Sequence, residues 1–397
     1  MGNVLKNKEG RAMALIKCPE CGKEVSDQSK KCQYCGYPFK KNNKKIAVLV
    51  CGVAILGVIG VSSAYYLQVK DKEKAERQGV LQYNDYVNEI NEYLYIVDRG
   101  EEFALNYLED TREVWYNSIY EEDDYKTDEY TKNSSGKFYD DFNTALLYWY
   151  SSDDAESEEG DISEAVSLAN TKFEGLKVVP LELENIYEKV LAIHTSFSDL
   201  TDFSLNPEGS YTSFVESAQN KKDSFKTAYN NLKNVIPQKK DYKGEQLESS
   251  KKYSEQLFDG IYFDMPAYAI ESEMNTKYQV IGDDILAGII SYADVTFPTL
   301  GVDNVAQIDF YPFNSKFQYD LVGIKFEKTD SLTINNVVDW ISSIHGEGVE
   351  SNGEYVWNNS KIKITCKEDI DYTDKKIYEV FYSKQGEPEE ETSLEEQ

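Results

Sequence analysis

A chain of 397 residues has room for more than one domain, and 71 Asp+Glu against 42 Lys+Arg leave it at a net charge of −29. That balance disfavours direct docking on anionic polymers or lipid and favours cationic partners or metal ions. Only two histidines are present, His194 and His345, and Gly-x-Ser-x-Gly, His-Glu-x-x-His, phosphate-loop and dinucleotide signatures are all missing. The commonest hydrolase and nucleotide chemistries are therefore disfavoured.

Residues 1–12 read as an N-terminal extension, with Met13 an alternative start of translation. Cys18 and Cys21 stand in Cys-Pro-Glu-Cys-Gly, and Cys32 and Cys35 in Cys-Gln-Tyr-Cys-Gly, so two Cys-x-x-Cys pairs are separated by ten residues. Four thiolates so spaced are the ligand set of one tetrahedral Zn2+, and Gly22 and Gly36 supply the left-handed turn each knuckle needs. Two disulfides, a redox pair or unrelated thiols are the bland alternatives. With all four positions filled by protein, no place is left for a catalytic water, so the ion is structural. A module this short buries little core, and metal binding supplies nearly all its stability, on the order of 10 kcal/mol or more.

On these residues the stretch 14–39 resembles the short zinc-ribbon domain that begins many membrane proteins of Gram-positive bacteria. The four cysteines match that pattern position by position, while Cys-Gln-Tyr-Cys departs from it where proline often follows the first cysteine. The resemblance implies a cytosolic, protein-contacting module. It covers about 26 residues and implies a fold rather than an activity.

Residues 46–69 carry no charge, and as a helix they would extend about 36 Å against a hydrocarbon core of about 30 Å. The expectation is a single transmembrane helix, with Tyr65 and Tyr66 at the headgroup level. A signal peptide cleaved near Val61-Ser62-Ser63-Ala64 is the competing reading, disfavoured by the metal-folded module ahead of it. A lipid anchor at Cys51 fails because the apolar run continues beyond it, and Gly60 with Ala64 leaves homo-oligomerisation open. Residues 1–45 hold 11 Lys+Arg against 4 Asp+Glu, and the rest 31 against 67, giving +7 and −36. Positive residues inside and thiolates in a reducing compartment both predict a plasma-membrane protein with a cytoplasmic N-terminus and an extracellular C-terminal region. The basic arm also permits nucleic-acid binding, which lysines beside a span make unnecessary.

For residues 70–240 the apolar spacing predicts a helical bundle or stalk. Val80, Tyr83, Val87, Ile90, Leu94 and Val97 form one amphipathic stripe that Gly100 should bend or end. Further helices are expected through Leu105, Leu108, Trp115 and Ile119, over 138–150, over 162–179 up to Pro180, along Ile186, Val190, Ile193, Phe197 and Leu200, and from a Ser210 cap to Pro237. The acidic run 153–161 reads as an exposed loop; its order does not match a calcium loop.

Beyond residue 245 the period changes, and a small α+β domain with an antiparallel sheet is expected over 245–384, with strands at 306–311, 319–327, 355–357, 361–367 and 376–382 and a helix at 332–344. Residues 385–397 read as a disordered acidic tail. Cys366, alone outside the ribbon and span, should point inward as a small apolar residue. Taken together, the sequence predicts a multidomain chain of four-cysteine zinc ribbon, transmembrane helix, helical region and α+β domain. The expected function is a non-catalytic, membrane-anchored sensor, scaffold or adaptor, with protein partners on both sides of the membrane. A wall-directed hydrolase and a nucleic-acid-binding membrane regulator are the alternatives. Catalytic residues are expected to be none, and Cys18, Cys21, Cys32 and Cys35 are the metal ligands.

Overall fold

The computed structural model describes residues 15–18, 22–26, 31–34, 61–247, 252–254, 256–301, 304–312, 315–371 and 373–385. The chain divides into two units, Met1–Val69 and Lys70–Gln397. In the first, β1 (Leu15–Lys17) pairs antiparallel with β2 (Glu24–Ser26).

The second unit is organised on one long helix, α1 (Val61–Tyr120), whose first residues belong to the preceding unit. Tyr83, Val87, Ile90, Leu94 and Val97 are buried along it, as their alternating four and three spacing requires of a helix with one covered face. α1 does not end at Gly100. The helix runs on to Tyr120 because Gly100 faces the neighbouring helices: a Cβ there would lie 2.7 Å from the Phe197 ring and 2.9 Å from Ala165 Cβ. The glycine allows close helix packing, where the sequence pattern suggested a break.

Around α1 are α2 (Asp128–Thr131), α3 (Phe142–Tyr150), α4 (Asp153–Leu176), α5 (Glu184–Leu205) and α6 (Tyr211–Lys233). The acidic run 153–161 is not a loop but the opening of α4. Ser152 caps it by accepting from the Ala155 N–H, and Asp153, Asp154 and Glu156 sit where the helix dipole favours negative charge. Ser210 caps α6 in a reciprocal box with Ser213. The return from α6 is tied to α1 by Asn84, which is buried and bonds both ways with the Lys240 backbone at 2.8 and 2.9 Å.

Two short hairpins come next, β3 (Asp241–Tyr242) with β4 (Glu245–Gln246) and β5 (Gln256–Phe258) with β6 (Ile261–Tyr262), then α7 (Ala267–Asn275). The remaining strands are β7 (Gln279–Asp284), β8 (Ile289–Val295), β9 (Ala306–Tyr311), β10 (Leu321–Glu327), β11 (Val349–Ser351), β12 (Glu354–Asn358), β13 (Ile362–Ile370) and β14 (Lys376–Lys384), with α8 (Ile334–His345) between β10 and β11. They form one antiparallel sheet in the order β11-β12-β13-β14-β10-β9-β8-β7. Its register lines up Cys366, Val380, Ile324, Ile308 and Tyr292 in one row, all buried. α8 covers this face through Val337, Trp340 and Ile341, with Trp340 4.8 Å from the Phe297 ring and 6.0 Å from Phe326.

Two expectations are corrected here. The small sheet of five expected strands is an eight-stranded sheet, because β7 and β8 extend it past β9 and β11 extends it past β12. The transmembrane helix expected at 46–69 is not borne out: among the described residues no helix is long and apolar enough to cross a membrane. Residues 46–60 lie outside the described residues. Val61–Val69 open a helix that continues at once through exposed Lys70, Asp71, Lys72, Glu73 and Lys74. The single-pass, plasma-membrane placement and the cytoplasmic and extracellular assignments built on that span are overturned with it. Residues 386–397 of the expected tail also lie outside the described residues.

Helices and sheet meet at a buried charge pair. Arg99 of α1 donates from Nη2 to Glu271 Oε1 of α7 at 2.8 Å, and both side chains are at most one-tenth exposed. The same oxygen accepts from Tyr95 at 2.6 Å and from Tyr319, while the Arg99 guanidinium lies over the Tyr95 ring at 4.7 Å. Removing one member strands a buried charge, so Arg99→Ala should destabilise the fold by about 3–5 kcal/mol, and Arg99→Met with Glu271→Met should recover much of that loss in chemical denaturation. Gly100→Ala, despite better helix propensity, should cost about 1–3 kcal/mol by the same measurement, since Phe197 and Ala165 must move.

Candidate functional site

Where α1, α2, α3 and α4 meet the β7–β8 turn and the segment before β10, they enclose a cleft of about 650 Å³. Asp110, Glu113, Glu129, Asp154, Glu158 and Asp161 line it against two cations, Lys126 and Lys316. Phe103, Tyr130 and Trp149 supply buried aromatic wall, and exposed Tyr125 stands at the rim. Trp149 is fixed by donating from its indole N–H to Thr111 Oγ1 at 2.9 Å and by an edge contact with Tyr130, ring centres 5.3 Å apart.

Three of these carboxylates have a partner of another kind, Glu113 with the Arg112 guanidinium at 3.9 Å among them. Asp154 accepts from the Tyr130 hydroxyl at 3.0 Å, and Asp161 pairs with Lys316 at 2.5 Å. Asp110 and Glu158 instead face each other within hydrogen-bonding reach, one from α1 and one from α4, with the Asn106 amide donating to Asp110 at 3.2 Å. Burial and then the Asp110 charge push the Glu158 carboxyl up to about 8, and burial also raises Asp110. A carboxyl raised to about 8 beside a second acid favours the protonated form of Glu158 at neutral pH, since ionising both would place two like charges together. Sequence reasoning missed this pair by reading 153–161 as a loop. The signal was present: Asp154, Glu158 and Asp161 are spaced four and three apart, which on a helix places all three on one face.

The residues weighed for catalysis are packing groups. His194 stacks on Phe173 with ring centres 3.8 Å apart and bonds the Tyr93 hydroxyl at 3.0 Å; burial lowers its pKa, keeping it neutral. His345 ends α8, and its Nε2 lies 3.4 Å from the Leu257 carbonyl and its ring 5.8 Å from that of Tyr382. Cys366 is fully enclosed on the inner sheet face, and burial pushes its thiol up to about 12, far from a nucleophilic thiolate.

In the first unit, Cys18 and Cys32 are buried in one cluster with Val25. The Cys18 N–H donates to the Lys23 carbonyl at 2.9 Å and the Gly22 N–H to the Cys18 carbonyl at 2.8 Å, with Gly22 at φ +69°, a turn that folds the chain back beside the first sulfur. At the second, the Tyr34 N–H donates to Cys32 Sγ at 3.4 Å. A backbone N–H aimed at a buried sulfur favours a metal-bound thiolate, so Cys32 fits a zinc site, with Cys18 buried in the same cluster. Cys21 and Cys35 lie outside the described residues, and among the described ones no group of three or more metal-binding side chains converges. Residues 14–39 match the zinc-ribbon domain family, and the chain carries a zinc-ribbon domain there. No curated protein and no solved structure matches the chain.

The raised Glu158 carboxyl has a thermodynamic consequence. A folded-state pKa of about 8 against an ordinary 4.5 means that the folded form holds the proton more tightly, so the stabilisation is complete below about pH 4.5 and is lost as pH rises through about 8. Buried Glu101, pushed up to about 7, adds to the same trend. The melting temperature should therefore fall across this window. Glu158→Gln, which keeps the neutral shape at every pH, should flatten much of the fall in a pH series of thermal melts.

Proposed function

We propose that the protein is a non-catalytic adaptor or scaffold in which the zinc ribbon contacts one partner and the acidic unit after it captures another, of cationic character. What carries the reading is the placement of the reactive side chains: His194 and Cys366 are absorbed into packing, and His345 closes a helix against the core. The hydrolase alternative loses its Cys-His form with the Cys366 thiol held near 12. Net charge favours a cationic partner for the unit after the ribbon, in which acids outnumber bases about two to one.

Zinc bound by Cys18, Cys21, Cys32 and Cys35 would supply the folding energy of the ribbon, and its closed sphere leaves a surface for contact rather than chemistry. The purified full-length protein should contain one zinc per chain, and Cys18→Ser should lose it without lowering the main thermal transition. In affinity capture, Cys18→Ser should lose one set of partners while retaining the other, which high salt should release. A single set that is indifferent to the ribbon, or turnover of a wall or peptide substrate by the purified protein, would defeat the adaptor reading.

A further inference from the structure

We infer that β7 is a self-association edge, at which a second copy of this chain adds its own β7 antiparallel across a two-fold axis and joins two eight-stranded sheets into one. The inference stands apart from the adaptor reading. β7 ends the sheet order, all six of its residues are exposed, and among the described residues no hydrogen bond joins its outer backbone groups to another segment. Such an edge is a template for another strand, and proteins commonly blunt it with lysine, proline or a very short strand. β7 has none of these, whereas β11 at the opposite edge is only three residues long. The register shift at Ile281 shortens the flat stretch of β7 without removing it. Val280 pairs with Tyr292 and so extends the buried row of Cys366, Val380, Ile324, Ile308 and Tyr292 by one strand. There the row meets solvent: Val280 is 37% exposed and Ile281 beside it 52%.

Charge selects the occupant and its direction. Lys277 stands just before β7, and Asp283 and Asp284 end it. Any antiparallel register that sets Val280 and Ile281 against the same pair of the second copy brings the Lys277 end of each strand to the Asp283–Asp284 end of the other, twice by symmetry. Lys277 Nζ, nearly half exposed, donates to Glu273 at 2.5 Å, and an ammonium has three donors, so it can also reach a carboxylate across the axis. Asp284 accepts from the Ala287 N–H through Oδ1 at 3.0 Å, which leaves Oδ2 for that contact. In-register parallel pairing would instead set acid against acid. Pairing with β11 of another copy, which would propagate an open filament, offers the acids of β7 only Glu350. A uniformly basic foreign strand would meet Lys277 with like charge. The antiparallel two-fold arrangement avoids all three conflicts and closes on itself. Six residues a side make a small interface, so the dimer belongs to the weak, reversible class.

Sedimentation velocity of the full-length protein over a concentration series tests the edge, at physiological salt, where repulsion between two chains of charge −29 is screened beyond about 8 Å. The expected result is a concentration-dependent equilibrium of monomer and dimer with nothing larger. Ile281→Lys, at an exposed position, should weaken the dimer at least about tenfold while leaving the thermal transition of the dilute monomer unchanged. Lys277→Glu and Asp284→Lys should each weaken it several-fold, and the two together should restore it, because the exchanged charges still face each other. Val349→Lys, on the opposite edge, should change nothing. A monomer at every concentration, a dimer indifferent to Ile281→Lys, failure of the charge exchange to rescue, or growth beyond the dimer would each overturn the assignment. So would a lysine-rich extended peptide whose binding is lost with Ile281→Lys while the chain itself stays monomeric, which would give the edge to a foreign strand.

Discussion

A single carboxylate oxygen holds the acidic unit together. Glu271 Oε1 receives the Arg99 guanidinium and the hydroxyls of Tyr95 and Tyr319, drawing α1, α7 and the segment entering β10 to one point. Three charge-assisted bonds on one buried acceptor offset the cost of removing both ions from water only while the geometry is maintained. Burial, then the Glu271 charge, drives both phenols well above their ordinary range, so they remain donors at any physiological pH. Tyr95 packs against the helical core and the sheet core alike, so the polar lock and the apolar contact reinforce each other.

That lock also sets the cleft. Because α1 runs unbroken past Gly100, the turns beyond the lock carry Phe103, Asn106 and Asp110 to the place where α4 starts. The Ser152 cap fixes the start of α4 and hence the facing of Asp154, Glu158 and Asp161. Lys316, just before β10, reaches the same cleft from the sheet side. The Asp110–Glu158 pair is therefore a product of two helix registers and one interface. Its unfavourable closeness is maintained by packing that neither residue supplies.

Local pattern was legible where it has a period. The stripe from Tyr83 to Val97, the Ser210 cap, the alternation that turns Cys366 inward and the Cys-x-x-Cys pairs all reflect contacts decided within a few residues. It misled where a residue answers to a distant partner. Gly100 has the marks of a helix end, but its missing Cβ accommodates Phe197 and Ala165 from two other helices. The run 153–161 has the marks of a solvated loop, yet its charges suit a helix N-terminus and one face of a cleft. The uncharged run 46–69 suggested a membrane span by composition alone, while the helix that starts at Val61 proceeds directly into charged, exposed turns.

By itself the sequence determined the ribbon and its thiols, the acidic character of the chain beyond the ribbon, the change from helical to strand periodicity and the inward faces of most elements. Each of these depends on residue type and short spacing, which the chain carries in one dimension. Only the tertiary structure decided that one glutamate receives three donors from separate segments, that β7, β8 and β11 widen the sheet to eight strands, and that two carboxyls from α1 and α4 come together in an aromatic cleft. Asp110 and Glu158 stand 48 positions apart in the chain. Their interaction falls off within a few ångströms, so it exists only once packing has brought them together.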